Sequence, residues 1–495
     1  MGLLQSPHLL DGCDVSSGSW FDVHSPETGE LVSQGARCTA GIADQALESA
    51  QAAFPRWCQV SYLRRRELLL RAADKLEALG PDIQAAMMVE TGAKADWAGG
   101  ANVHGAASLL REVASLASQL KGEILPSSNP GTMTFVFREP AGVVFAVAPW
   151  NSPVVLSCRA VATALLCGNT VILKSSECSP RTQRFVAEAF RDAGLPDGVL
   201  NYVNMAADES PALVERIIAS PVVRRVNFTG SVRVGRIIAR HCAVYGPKQC
   251  VVELGGKAAA VVLEDADLDA AADDIVFSSM MHSGQICFSI ENVLVLDAVA
   301  NALVERLKSR IAKLWAGATD SSTESRDERF RIGPLYNSAS ATHAVDLLRS
   351  VEETRATVLV GDVTAEQCFI QPHLLDHVDP SSRIFSEESF APFCCITRIS
   401  TVEEAIRLAN LPGYSLSAAV YGTDGAATFE VARQIRSGAV HINGPTLSFE
   451  SNRPYGGCGG PSGYGRFGGA AGIQEYTDLK VVTFNKSGSV KGSLV

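Results

Sequence analysis

The stretch VVFAVAPWNSPVVLSCRAVATALLCGNTVILK, residues 143–174, decides how the rest of the chain is read. It opens on a β-branched run at 143–147, turns at Pro149-Trp150-Asn151, and continues as a strongly apolar segment from 154 to 173. A run of that length raises the question of a membrane span. Arg159 interrupts it, Gly168-Asn169 breaks it, and Pro153 suits the first turn of a helix. The stretch therefore reads as strand, buried helix (153–166) and second strand (170–174), one unit of a parallel sheet in an α/β protein.

Outward from it the alternation repeats. Strands are expected at 199–203, 225–228 and 251–254, with helices at 179–193, 210–219 and 232–245, as in a nucleotide-binding half. A second series follows: a strand at 258–263, a helix around 267–278, a strand at 290–295 and a helix at 298–314. Two segments fit neither series, TMTFVFREPAGVVFAVA (132–148) and EYTDLKVVTFNKSG (475–488). Strand-like pieces without partners need an edge to join, and a subunit interface is one.

The totals narrow the function. At 495 residues, 46% hydrophobic and 19% charged, the chain reads as globular, with two to four domains and no disordered tracts. A formal net charge of −10 disfavours a general nucleic-acid surface. The nearest basic cluster, Arg64-Arg65-Arg66, reads as a solvated helix face. Thirteen cysteines lack zinc-ligand or redox-pair spacing, and no signal peptide is expected. Reduced thiols, a cytoplasmic location, no metal and no membrane partner are the expectations.

Chemistry enters with MMHSGQICFSIENVLV, residues 280–295. Cys287 follows a small polar Ser283-Gly284-Gln285 turn, unlike a core-filling cysteine, and its thiolate would be a strong nucleophile. The plain alternative is an inert buried thiol. His282 invites a Cys–His dyad, but closeness in sequence is no evidence of pairing in space. In VVELGGKAA (251–259) a strand delivers Glu253 beside two glycines, the place for a general base or for an ordinary salt-bridged glutamate. In FAVAPWNSPVVLSCRA (145–160) Asn151 is either a helix N-cap or an oxyanion donor. NFTGSVRVG (227–235) puts Gly230-Ser231 before a helix, where a pyrophosphate can approach, although the G-x-G-x-x-G fingerprint is absent. VILKSSECSP (171–180) ends a strand with Lys174 and Glu177, either ribose contacts or strand-end solvation.

These segments, in this order, resemble the aldehyde dehydrogenase superfamily over nearly the whole chain. EESFAPF (387–393), GAVHINGPT (438–446) and SGYGRFGG (462–469) add to the match. The resemblance implies a Rossmann-like cofactor domain (1–131 and 149–254), an α/β catalytic domain (255–440), a return segment (441–474) and a small β oligomerisation arm (132–148 and 475–495). It implies a homodimer or homotetramer acting on a small-molecule aldehyde with NAD, NADP remaining possible. Cys287 matches the nucleophile, Glu253 the general base and Asn151 the oxyanion donor. Lys174 and Glu177 match adenine-ribose contacts, Gly230 and Ser231 the pyrophosphate turn, and Glu388 and Phe390 the nicotinamide-ribose region, with Trp150 and Gly255 beside the cofactor cleft.

A narrower resemblance is to the salicylaldehyde- and vanillin-oxidising branch. It rests on APWNSPVVLSCRAVATALLCGN, on GRFGG in place of the commoner GRE, and on Trp97 in ETGAKADWA. It implies a hydroxylated aromatic aldehyde, with Trp97 and Arg159 as substrate residues; the alternative for Arg159 is a buried ion pair. Val232, Ser175 and Ala391 depart from the family pattern, and so does the loop 446–461. That loop leaves open a bulky, polyketide-type aldehyde. A cofactor-independent thiol esterase and a non-catalytic protein on the same fold are the remaining alternatives.

Overall fold

The computed structural model describes residues 3–317, 330–351 and 354–486. The opening stretch forms the strand Val143–Val147, the helix Pro153–Leu166 and the strand Thr170–Lys174. The two strands pair in parallel at the centre of an eight-stranded sheet. Side-chain alternation explains the placement. Val144 and Ala146 enter one hydrophobic layer, while Val143, Phe145 and Val147 enter the layer on the opposite face. Every residue of the helix except Leu156 is buried, so its apolar run serves the core. Among the described residues, no helix is long and apolar enough to cross a membrane.

Five parallel strands run Gln249–Glu253, Val223–Thr229, Val143–Val147, Thr170–Lys174 and Leu200–Val203 across this sheet. Chain order reverses between Val143–Val147 and Val223–Thr229, and ligands bind at such a switch point, beyond the carboxyl ends of the strands. The expected strands and helices are present, with ends moved by a few residues. Gln249–Glu253 ends on Glu253 itself and leaves Leu254 outside the strand.

A seven-stranded sheet forms the second α/β unit, with Ile290–Leu296 and Ala258–Val262 at its centre. The chain then returns to the first sheet through Gly463–Tyr464, antiparallel to Gln249–Glu253.

The two stray segments do meet. Thr477–Asn485 pairs antiparallel with Thr132–Pro140, and Glu123–Leu125 covers the other side. One expected boundary is corrected: Val143–Val147, placed in the arm at 132–148, is a central strand of the eight-stranded sheet. Its five buried residues need two covered faces, which a thin arm lacks. The arm also starts earlier, at Glu123. Residues 487–495, expected in the arm, lie outside the described residues.

Candidate active site

A cavity of about 410 Å³ opens at the switch point, between the strand ends of the first sheet and the second α/β unit. Its wall collects Trp150, Asn151, Gly230, Ser231, Glu253, Gly255, Cys287, Glu388 and Phe390, drawn from segments up to 240 residues apart in Trp150 and Phe390. Lys174 and Glu177 are not in this wall. Lys174 is buried at the neighbouring strand end, and its ammonium donates to Ser175 O at 2.7 Å. Burial pulls its pKa down while the nearby Glu177 carboxylate opposes that.

The glycines of ELGGK (253–257) explain how Glu253 and Cys287 come together. A Cβ on Gly256 would lie 1.8 Å from the Cys287 carbonyl oxygen, so only glycine lets the two backbones touch. A Cβ on Gly255 would lie 2.4 Å from Glu388 Oε2, and the Gly256 N–H donates to Glu388 Oε1 at 2.7 Å.

Cys287 is half-buried. Burial raises its pKa well above the ordinary thiol value; the charge and hydrogen-bonding capacity of Glu253 add to this, and Arg159 opposes it. The resting nucleophile is therefore a thiol with a carboxylate at hand to take its proton. Asn151 is not the N-cap of the helix behind it, a place that Ser152 takes, and its Nδ2 donates to Gln285 O at 3.0 Å. The capping acceptor is Asn102 Oδ1, which receives the Val154 N–H at 3.3 Å. Gln285 is itself fixed, donating to His282 O and Pro334 O and accepting from the Tyr336 N–H. One Asn151 N–H is thus held and the second remains for an oxyanion beside Cys287.

His282 is no partner of Cys287 here. Its ring stacks on Trp97 with centroids 5.6 Å apart, its Nε2 is unpartnered, and burial drops its pKa to about 3, so it stays neutral. Trp97 opens a widened helical turn, Trp97–His104, and its Nε1 donates to Asn151 O at 3.0 Å. With Phe288, Leu447, Phe449 and Tyr455 it forms an apolar cluster on Cys287. Phe449 and Tyr455 stack at 4.6 Å, so the departing loop 446–461 supplies an aromatic wall. Arg159 sits behind Glu253 as a buried ion pair.

Several residues escaped sequence reasoning. Tyr336 stacks on Trp150 at 4.0 Å, and nothing near it in sequence marks it. Glu291 pairs with Lys257 and accepts the Ser389 and Phe390 N–H groups, anchoring the loop that carries Glu388. Phe467 lies under the Arg159 guanidinium at 4.4 Å, which gives the GRFGG variation a structural role.

A nicotinamide dinucleotide fits these residues. Ser231 caps the helix Val232–Val244, whose N-terminal N–H groups and positive dipole end face the cavity as an anion cradle. Gly230 and Gly255 leave space at the strand ends, and the Trp150 and Tyr336 rings offer a flat face.

The aldehyde dehydrogenase family model matches residues 14–482. Vanillin dehydrogenase of Pseudomonas sp. (strain HR199 / DSM 7063) is 44% identical over 483 residues, covering 96% of this chain and 97% of that protein. Salicylaldehyde dehydrogenase of Pseudomonas sp. (strain C18) is 39% identical over 470 residues, covering 95% of each. The crystal structure of a salicylaldehyde dehydrogenase from Pseudomonas putida G7 complexed with salicylaldehyde superposes with a TM-score of 0.94 at 37% identity, covering 99% of this chain and 100% of that one.

Proposed function

The chain belongs to the aldehyde dehydrogenase family, and from that premise we propose that it oxidises an aromatic aldehyde, most readily a hydroxylated one, to the carboxylic acid with NAD. The observation that carries this is the meeting of Cys287, Glu253 and Asn151 in one cavity at the switch point.

Glu253 takes the Cys287 proton as sulfur attacks the aldehyde carbon, forming the C–S bond of a thiohemiacetal. The free Asn151 N–H holds the developing oxyanion. When bound, the nicotinamide supplies the hydride acceptor, and Trp150, Phe390 and the Gly230-Ser231 turn hold and orient it. Cys287 then carries the acyl group as a thioester. Once Glu253 has passed the first proton to solvent, it removes a proton from water, the water oxygen attacks the thioester carbonyl, and the C–S bond breaks to release the acid, the Cys287 thiolate taking back the proton. Glu253 serves both proton transfers.

The aromatic cluster of Trp97, Phe288, Phe449 and Tyr455 supports a flat ring over a bulky chain. Glu177 supports NAD over NADP through repulsion of a 2′-phosphate. The arm leaves Ile124, Met133, Phe137, Leu479, Val481 and Phe484 exposed, and a homo-oligomer that covers them is part of this reading. So is a cytoplasmic location, supported by free thiols throughout.

The test is absorbance of reduced nicotinamide with NAD and NADP separately, over salicylaldehyde, vanillin, benzaldehyde and a long aliphatic aldehyde. The expected result is turnover of the aromatics with NAD that vanishes in Cys287→Ala. Turnover confined to the aliphatic aldehyde would overturn the substrate class.

A further inference from the structure

Arg159 and Glu253 lie 94 residues apart and form a buried ion pair, 5% and 1% exposed at their side chains. The pair is incomplete in a specific way. Glu253 Oε2 accepts from Arg159 Nη2, whereas Glu253 Oε1 is buried without any hydrogen-bond partner. Arg159 is pinned independently: Nη2 also donates to Thr229 Oγ1 at 2.8 Å, and the guanidinium lies over the Phe467 ring. A buried carboxylate oxygen left bare costs stability, so its retention calls for a reason.

We propose that Arg159 is the positioning residue of the general base, anchoring one Glu253 oxygen so that the other stays bare and presented to Cys287. Glu253 then acts from a fixed place, with no search among rotamers between the two proton transfers. The charged or titratable groups facing Glu253 are Arg159, Cys287 and, across the cavity wall, Glu388. Arg159 is the only cation among them, so it also supplies the one positive charge set against three acidic or thiol groups. A planar guanidinium bonding Thr229 and Glu253 together does what a lysine ammonium cannot.

The inference rests on the reading of Glu253 as the base, and an ester assay separates the two. A p-nitrophenyl ester acylates Cys287 without aldehyde or cofactor: the S–C bond forms, the C–O bond breaks and nitrophenolate leaves. Water, giving its proton to Glu253, then cleaves the C–S bond. The wild type is expected to turn over. Arg159→Gln is expected to release one burst of nitrophenolate and then deacylate roughly 10- to 100-fold more slowly, with the acid limb of deacylation moved up by about one pH unit or more. Arg159→Lys restores the charge, so its pH limb returns while the rate stays low. Thermal melts of both variants confirm that they fold.

Deacylation at the wild-type rate and pH in both variants, with only KM for hydroxylated aldehydes raised, would make Arg159 a substrate contact and overturn the proposal. A wild type that acylates but never deacylates would remove Glu253 as base and the proposal with it. Ester turnover without aldehyde oxidation would sink the proposed function while leaving the role of Arg159 to be decided by the same rates.

Discussion

The segment ELGGK supplies one residue to each of two buried ion pairs, and the pairs differ. Lys257 meets Glu291, whose two oxygens also accept the N–H groups of Ser389 and Phe390. Glu253 meets Arg159, and there both Glu253 Oε1 and Arg159 Nε are left without partners. The complete pair holds a loop in place. The incomplete pair stands against the nucleophile. Unsatisfied buried polar atoms are uncommon in native proteins, so their concentration at Glu253 distinguishes a working group from a structural one.

The comparison is broken most forcefully by making the same isosteric change on both sides. Glu253→Gln removes the base and is expected to lower kcat roughly 10²- to 10⁴-fold. It also leaves the buried Arg159 without its counter-charge, but Arg159 keeps Thr229 and the Phe467 ring, so stability should fall less than in Glu291→Gln. Glu291→Gln leaves the Lys257 ammonium buried and uncompensated, at a cost of about 3–5 kcal/mol. Its kinetic defect should appear chiefly as a raised KM for NAD, through the loosened loop of Glu388 and Phe390. Denaturant unfolding and steady-state kinetics on the two variants check the contrast; equal losses of stability would erase it.

How much of this was legible in sequence follows the same divide. The strand–helix alternation was readable because period-2 and helical patterns are local, and Val143–Val147 announced itself by five apolar residues in a row. Cys287, Glu253 and Asn151 were readable as a set because each sits in a short motif. The Arg159–Glu253 pair was not, since it joins a helix to the end of a strand 94 residues away in the same sheet, a distance no local pattern spans. Nor was the left-handed backbone at His282, Ser283 and Phe390, which tertiary contacts impose on residues with no glycine-like freedom. The arm boundary at 132–148 was set across the Pro140-Ala141-Gly142 turn, and the sheet partners divide the segment there: Thr132–Pro140 pairs with Thr477–Asn485, whereas Val143–Val147 pairs with Thr170–Lys174.

A third carboxyl group sharpens the series. Glu388, half-buried in the cavity wall, accepts the Gly256 N–H but has no cation bonded to it, and burial pushes its pKa up to about 8 from 4.5. The folded protein therefore holds a proton that the unfolded chain has already released, and stability falls as pH rises from 4.5 toward 8. Glu388→Gln should flatten that slope and be relatively more stable at the alkaline end. Thermal melts at intervals across the window read it directly; an unchanged slope would mean that Glu388 is charged in the folded state.

The smallest expected effect is also the most pointed, because it leaves both members of the incomplete pair in place. Phe467 touches only the guanidinium side, 4.4 Å from ring centroid to Arg159 Cζ. Cation–π contacts of this kind contribute about 0.5–2 kcal/mol, so Phe467→Leu should loosen Arg159 while conserving apolar volume. The expected result is a decrease in kcat of a few-fold, unchanged KM for benzaldehyde, and an acid limb that stays where it is because no charge has been removed. Paired with Glu253→Gln the Phe467 effect should disappear, since nothing remains for a well-held Arg159 to orient. If instead the two losses multiply, the ring supports the fold around Arg159 and has no part in presenting the base.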